Sequence, residues 1–313
     1  MKDFEEKLLK RWLKRKVKIT LAILVTFLVG GISGYSFDVE EIVIGKDLSG
    51  NYNLINGGTV IEDEQNFMIE KNNFINNENV KSDVKQGYFN GVVTISDKIK
   101  KEDDFNFINN GDIIGNTYLG LANQGYIKTL LNNGYIYGKE QGIENVYTST
   151  GENYIELIDN KGIIASDKIS LYLYKSIGDI KNSGIIKESL IMYEKANNIY
   201  NNGKIIKTVS DSNGGLSLNN GSRNKVINKG ILVAPKKVIH NSGGLKEVTN
   251  EGVIEKTTND ISGAMELSNY TGILKNSGVI NGKTKSISEL TFNLTGKKSP
   301  TSIGGAMNCP IVF

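Results

Sequence analysis

Across most of the chain, apolar and polar positions recur in a seven-residue unit: apolar, x, Asn, x, Gly, x, apolar. Intact copies centre on Asn56, Asn109, Asn123, Asn132, Asn160, Asn182, Asn201, Asn228, Asn241, Asn250 and Asn276. A degenerate copy, Phe74-Asn76-Glu78-Val80, lacks the glycine. Asn and Gly are poor helix residues, and the body of the chain keeps no 3.6-residue apolar spacing past a few turns. The flanking residues are Ile, Val, Leu and Tyr, which favour strands. Each unit therefore predicts a corner between two strands, with Asn and Gly supplying the positive φ of a tight turn. The apolar ends then point inward, in keeping with a strand pleat.

A turn motif repeated every 20–30 residues predicts a solenoid. Stacked coils would place isoleucine on isoleucine inside and build a hydrogen-bonded Asn ladder along a corner. The expected fold class is all-β, a parallel β-helix over residues 37–295. At roughly 22 residues per coil it would hold eleven to twelve coils, and at the usual strand spacing it would be on the order of 50–60 Å long. The close units at Gly125 and Gly134, and at Gly243 and Gly252, read as two corners of one coil. The alternative, an irregular sandwich with many Asn-Gly turns, does not explain the repetition of one motif.

Residues 1–36 follow a different pattern. Cations run to Lys18, then come the apolar stretch Ile19–Val29 and the small residues Gly30, Gly31, Ser33, Gly34 and Ser36. Positive, apolar, small is the order of a secretory signal, with a cut expected before Phe37 or after Ser33. The segment Ile19–Tyr35 is at the lower edge of a bilayer span, so an inner-membrane anchor with the body in the periplasm stays open. Either way the body is expected outside the cytoplasm. Leu8, Leu9, Trp12 and Leu13 would line one face of a basic amphipathic helix able to contact the inner membrane before cleavage. The fold thus begins with a signal or apolar helix and ends in a tail, 296–313, expected to be irregular.

Composition removes several functions. The chain holds 38 Asn, 40 Ile and 35 Gly but one His, one Cys and one Trp, which excludes a zinc cluster, an intrachain disulfide framework and any site needing two histidines. The net charge is +3. Residues 1–36 carry +5, leaving −2 on 37–313, so no nucleic-acid partner is expected.

Taken together, an extended signal followed by Asn-x-Gly-x-Ile repeats resembles the passenger of a Gram-negative autotransporter, the type V secretion class. The resemblance covers nearly all of residues 1–295. It implies export through the secretion translocon and display at the outer membrane by a β-barrel. The segments after Thr295 lack the alternating strands a barrel needs. A separate barrel translocator, a two-partner exoprotein or a truncated gene is expected instead.

Chemistry-bearing residues are few. β-Helices host polysaccharide-active enzymes, and those need carboxylates or a base gathered on one face. Asp103-Asp104, flanked by Lys98, Lys100 and Lys101, reads as a solvated charged loop. His240 fills an x position and is expected at the surface. Asp211-Ser212-Asn213-Gly214-Gly215 begins like a calcium loop, but Ser222 stands where the closing acid should be. Cys309 is alone in the tail. We therefore assign no catalytic, cofactor or metal residues and no cofactor, and expect a non-enzyme. The variable segments 138–156, 187–198 and 207–225, with Tyr147, Tyr154 and Tyr193, are the expected contact surface for a host or neighbouring cell, in the manner of an adhesin. A glycan-active β-helix enzyme is the alternative.

Overall fold

The computed structural model describes residues 72–83, 91–146, 153–268 and 272–288, together with short strands at 36–38, 42–46, 52–56, 59–60, 67–70, 293–294, 297–298, 302–307 and 311–312. The chain divides into units Met1–Phe37 and Asp38–Phe313. The signal, its apolar helix and its basic face lie outside the described residues.

The second unit is a parallel β-solenoid with three strand faces per coil. Face 1 comprises Asn73–Asn76, Asn106–Asn109, Tyr126–Asn132, Tyr154–Asn160, Ile177–Asn182, Ala196–Asn201, Ser222–Asn228, Gly244–Asn250 and Ile273–Asn276. After the Asn-x-Gly corner each coil enters face 2, for example at Asp112–Gly115, Tyr135–Gly138 or Lys204–Ile206. Face 3 follows, for example at Leu119–Asn123, Gln141–Asn145 or Leu216–Leu218.

The face 1 sheet has eleven strands, and the outermost at each end is antiparallel, leaving nine in the parallel stack. We number the coils 1 to 9 by their ladder residues Asn76, Asn109, Asn132, Asn160, Asn182, Asn201, Asn228, Asn250 and Asn276. Eight inter-coil steps amount to about 38 Å, shorter than the sequence predicted. Among the described residues the eleven to twelve coils are not reached, for two reasons. Asn56 ends Tyr52–Asn56, which pairs antiparallel with Ile42–Lys46 and with Thr59–Val60 and has no place in the face 1 ladder, although Ile42–Lys46 itself lies parallel on the face 3 strand of coil 1. Asn123 and Asn241 end face 3 strands, so their units are second corners, as the 9-residue spacing anticipated.

The two apolar ends of each unit become two interior columns. Phe74, Phe107, Leu130, Ile158, Ile180, Ile199, Val226, Val248 and Leu274 stack on face 1, all at most 1% exposed. Val80, Ile113, Ile136, Ile164, Ile186, Ile205, Leu232, Ile254 and Ile280 do the same on face 2. Each fully buried aliphatic contributes about 1.5–3 kcal/mol relative to exposure, and the shared register makes every rung contribute twice.

Between the columns the asparagines form a continuous ladder. Each Nδ2 donates to the Oδ1 of the next coil at 2.7–2.8 Å, from Asn76 to Asn276. At the N-terminal end Asn76 has no asparagine below it among the described residues, and the Glu78 amide donates to its Oδ1 at 3.1 Å. The backbone also stacks: the amides of Ser183 and Gly184 both donate to the Asn160 carbonyl, at 2.8 and 3.0 Å, and Ile185 donates to the Gly162 carbonyl at 2.9 Å. Buried amides cost free energy unless paired, and here the pairing crosses from coil to coil.

The corner glycine has a different cause from the one expected. None of the described ladder corners has φ in the left-handed range. Instead, a Cβ on Gly184 would lie 2.0 Å from the Gly162 carbonyl oxygen of the coil below. The glycine permits close approach of backbones. The ends of the stack carry antiparallel strands: Phe67–Glu70 on coil 1, and Ser302–Met307 and Ile311–Val312, from the segment expected as an irregular tail, on coil 9. Such pairing closes edges that would otherwise recruit other chains.

Candidate functional site

Strand pleat sends alternate residues outward, and the outer side of three consecutive coils forms a cavity where face 3 turns into face 1. It has a volume of about 550 Å³ and is lined by Lys100, Lys101, Glu102, Tyr126 and Tyr154. Lys101–Asp103 is a single 3₁₀ turn before the face 1 strand of coil 2, while Tyr126 and Tyr154 open the face 1 strands of coils 3 and 4 in register. Their rings lie 6.3 Å apart between centroids and 19° from parallel. Burial, and then the neighbouring Glu156 carboxylate, push the Tyr126 hydroxyl well above the usual phenol range. Lys128 pairs with Asp104 at 3.1 Å beside the same turn.

A second aromatic group lies on coils 4 and 5. Tyr174 and Tyr193 stack at 5.2 Å, and Tyr172 meets both edge-on. The Tyr172 hydroxyl donates to that of Tyr174 at 2.8 Å. Of the tyrosines expected at the contact surface, Tyr154 is in the cavity and Tyr193 in this cluster; Tyr147 and Cys309 lie outside the described residues. The segments 138–156 and 187–198 are less loop-like than expected, because Gln141–Asn145 and Ile185–Met192 are strands.

The aspartate pair has structural partners. Asp103 Oδ2 accepts the Lys100 amide at 2.8 Å, and Asp104, at φ 49°, closes the turn. The calcium-like loop is explained by an internal cation. Lys207, almost fully buried, donates to Asp211 Oδ2 at 3.0 Å and to Ser189 Oγ at 2.9 Å. The pattern recurs two coils later: Lys207-Thr208-x-x-Asp211-x-x-Gly214 matches Lys256-Thr257-x-x-Asp260-x-x-Gly263. Lys256, fully buried, donates to Asp260 Oδ1 and to the carbonyls of Asp260 and Ser262 at 2.6–2.7 Å. Burial alone would raise the Asp260 carboxyl; hydrogen bonds from Lys256 and Ser262 outweigh it and hold the pKa at about 2. A buried ammonium thus occupies the centre of each loop where a metal would sit. This second repeat was visible in the sequence, but lysine is ordinarily exposed and the pattern carries no apolar signal. Among the described residues no group of three or more His, Cys, Asp or Glu could hold a metal ion.

His240 is half-buried, not freely exposed. Its Nδ1 lies 3.0 Å from Glu266 Oε2, and Lys237 pairs with the same carboxylate. Ser217, His240 and Glu266 occupy one register position on three successive coils. The order resembles a nucleophile, base and acid, but Ser217 is 1% exposed and its Oγ accepts the Gly214 amide at 2.7 Å. Thr94 holds the Gly91 amide in the same way on the outer side of coil 1's face 3 strand, so the hydroxyl at this position fixes a turn.

The outer column of face 3 also contains Glu144, between Ala122 and Tyr172 in register. It is 3% exposed, and among the described residues no side chain pairs with its carboxyl. Desolvation raises its pKa to about 7 from 4.5. An unfolded glutamate ionises first, so this site should lower stability as pH rises from about 4.5 to 7, by about 3 kcal/mol at most. Glu144→Gln should remove that dependence: the wild-type-minus-variant difference in urea midpoint between pH 5 and pH 8 measures it, and equal slopes would refute it.

Compared with known proteins, the chain matches no family model, no curated protein and no solved structure. The functional reading therefore rests on the geometry of the solenoid's outer surface.

Proposed function

We propose that the protein is an exported passenger, secreted or displayed at the cell surface, that binds a ligand on a host or neighbouring cell through tyrosine-bearing positions of a rigid β-solenoid. The observation that carries the reading is the cluster of partly exposed tyrosines Tyr154, Tyr172, Tyr174 and Tyr193 over coils 4 and 5, beside a cavity and on or next to strands whose register the Asn ladder holds. Tyrosine gives contact area with little entropy loss on binding, and a repeat scaffold presents such residues on an extended surface. The basic, apolar and small residues of 1–36 support export, with the secretion translocon and a separate barrel translocator as the partners in transport. Binding, not catalysis, is the proposed activity, and it requires no cofactor.

Two measurements on cells expressing the full chain test this. Externally added protease should degrade the protein on intact cells, or the protein should be found in the medium. Serine at Tyr154, Tyr172, Tyr174 and Tyr193 together should abolish adhesion while leaving the folded protein at wild-type level. Protease resistance in intact cells with none in the medium would overturn export, and unchanged adhesion would overturn the binding surface.

A further inference from the structure

We infer that the cavity lined by Lys100, Lys101, Glu102, Tyr126 and Tyr154 is a binding site for a saccharide bearing a carboxylate; this rests on the surface-binding reading and names its ligand class. The volume of about 550 Å³ falls in the range of small-ligand sites, roughly 300–1,000 Å³. Tyr126, 3% exposed, backs the Tyr154 ring near-parallel, and the partly exposed Tyr154 ring offers a flat apolar face with a polar tip. A pyranose has the complementary form: an apolar C–H face, and hydroxyls around its edge that need donors and acceptors. Glu102 at the lining supplies acceptors and the two lysines donors.

The charge distribution selects an acidic sugar. Lys128 is already matched by Asp104, whereas exposed Lys101 forms no ion pair among the described residues. Its ammonium is the cation left for a ligand carboxylate, and charge-assisted hydrogen bonds are the stronger ones. An acidic peptide fits less well. The strands Tyr126–Asn132 and Tyr154–Asn160 are each paired in the face 1 sheet on both sides, so neither offers a free edge to read a peptide backbone. The three contributing coils are locked in register, so the site is organised before the ligand arrives.

The test uses the full chain against immobilised saccharides ending in a uronate or sialate, their carboxyl-reduced counterparts and a polyglutamate peptide. The wild type should bind the acidic saccharides best. Tyr154→Ala should weaken binding to acidic and reduced forms alike by about thirtyfold, the usual size of an aromatic hot spot. Lys101→Gln should remove the preference for the acidic form and leave the reduced form unchanged. Tyr137→Ala, on face 2, should bind as wild type, and matching thermal unfolding would show that the variants fold. No saccharide binding by the wild type, equal binding by Tyr154→Ala, or Tyr154-dependent binding of polyglutamate alone would overturn the assignment. If the wild type binds no saccharide while Tyr154→Ala cells still adhere, the cavity assignment fails and the surface-binding reading stands on the Tyr172, Tyr174 and Tyr193 cluster.

Discussion

Gly184→Ala should destabilise the solenoid by about 4 kcal/mol or more, a magnitude reserved for defects that a fold cannot relax around. The new Cβ would lie 2.0 Å from the Gly162 carbonyl oxygen and 2.7 Å from Lys161 backbone atoms. Neither neighbour is a flexible side chain, so the coils must separate. Separation breaks the hydrogen bonds from the Ser183 and Gly184 amides to the Asn160 carbonyl and from the Ile185 amide to the Gly162 carbonyl, each worth about 0.5–1.5 kcal/mol. Chemical unfolding gives the total, and hydrogen exchange should place the loss on coils 4 and 5. The control is Glu78→Gly at the first ladder corner, which already holds a side chain; it should change stability by less than about 1 kcal/mol. If Gly184→Ala is as mild as the control, the close-approach account of the glycines is wrong.

Asn182→Ala should cost about 3 kcal/mol, because it removes hydrogen-bond partners from buried atoms on both neighbouring coils. Asn160 Nδ2 loses its 2.7 Å acceptor, Asn201 Oδ1 loses its 2.7 Å donor, and the Lys204 carbonyl loses a third bond at 3.2 Å. Asn182→Asp sharpens the test. An ionised carboxylate would face Asn201 Oδ1 with no proton to give, and protonation would restore a donor. The deficit of the Asp variant relative to wild type should therefore shrink as pH falls from 7 to 3. A deficit independent of pH would mean that the ladder bond is not what the side chain supplies. The second Asn corner shows what an interrupted ladder looks like. Asn123 donates to Asn145 at 2.9 Å, but the next coil offers Leu173, and Asn145 Nδ2 is left without a partner among the described residues. Asn241 lies between Leu218 and Leu267, and its Oδ1 is likewise unpaired.

The solenoid was legible because its corner motif names both of its requirements: a side chain that can donate and accept, and a position without a Cβ. The pairing of Asn123 with Asn132, and of Asn241 with Asn250, as two corners of one coil also followed from spacing. The coil number did not, since Asn56 carries the same motif in an antiparallel hairpin and local sequence does not distinguish the two. The glycine's reason was misread because the constraint comes from the coil below and not from the residue's own φ. The site was legible only in part. Tyr154 and Tyr193 stood out as aromatic residues between corners, but the partners Tyr126, Lys101 and Tyr174 come from other coils, and their meeting depends on register. Glu144 and the buried lysines Lys207 and Lys256 gave no hydrophobic signal, because their burial comes from tertiary packing and not from local pattern.

Register is also what the most direct measurement reads. Spin labels placed in pairs at the corner x positions Asn110, Asn133, Lys161, Ser183, Asn202, Lys229, Glu251 and Ser277 report distances along the stack. Each added coil should add about 4.8 Å, reaching about 34 Å between positions 110 and 277. The increment should be the same whether the coil contains 19 residues, as from Asn182 to Asn201, or 28, as from Asn132 to Asn160. Distances that instead grew with the number of intervening residues, or that failed to increase coil by coil, would contradict the stacked ladder and with it the site built on its outer side.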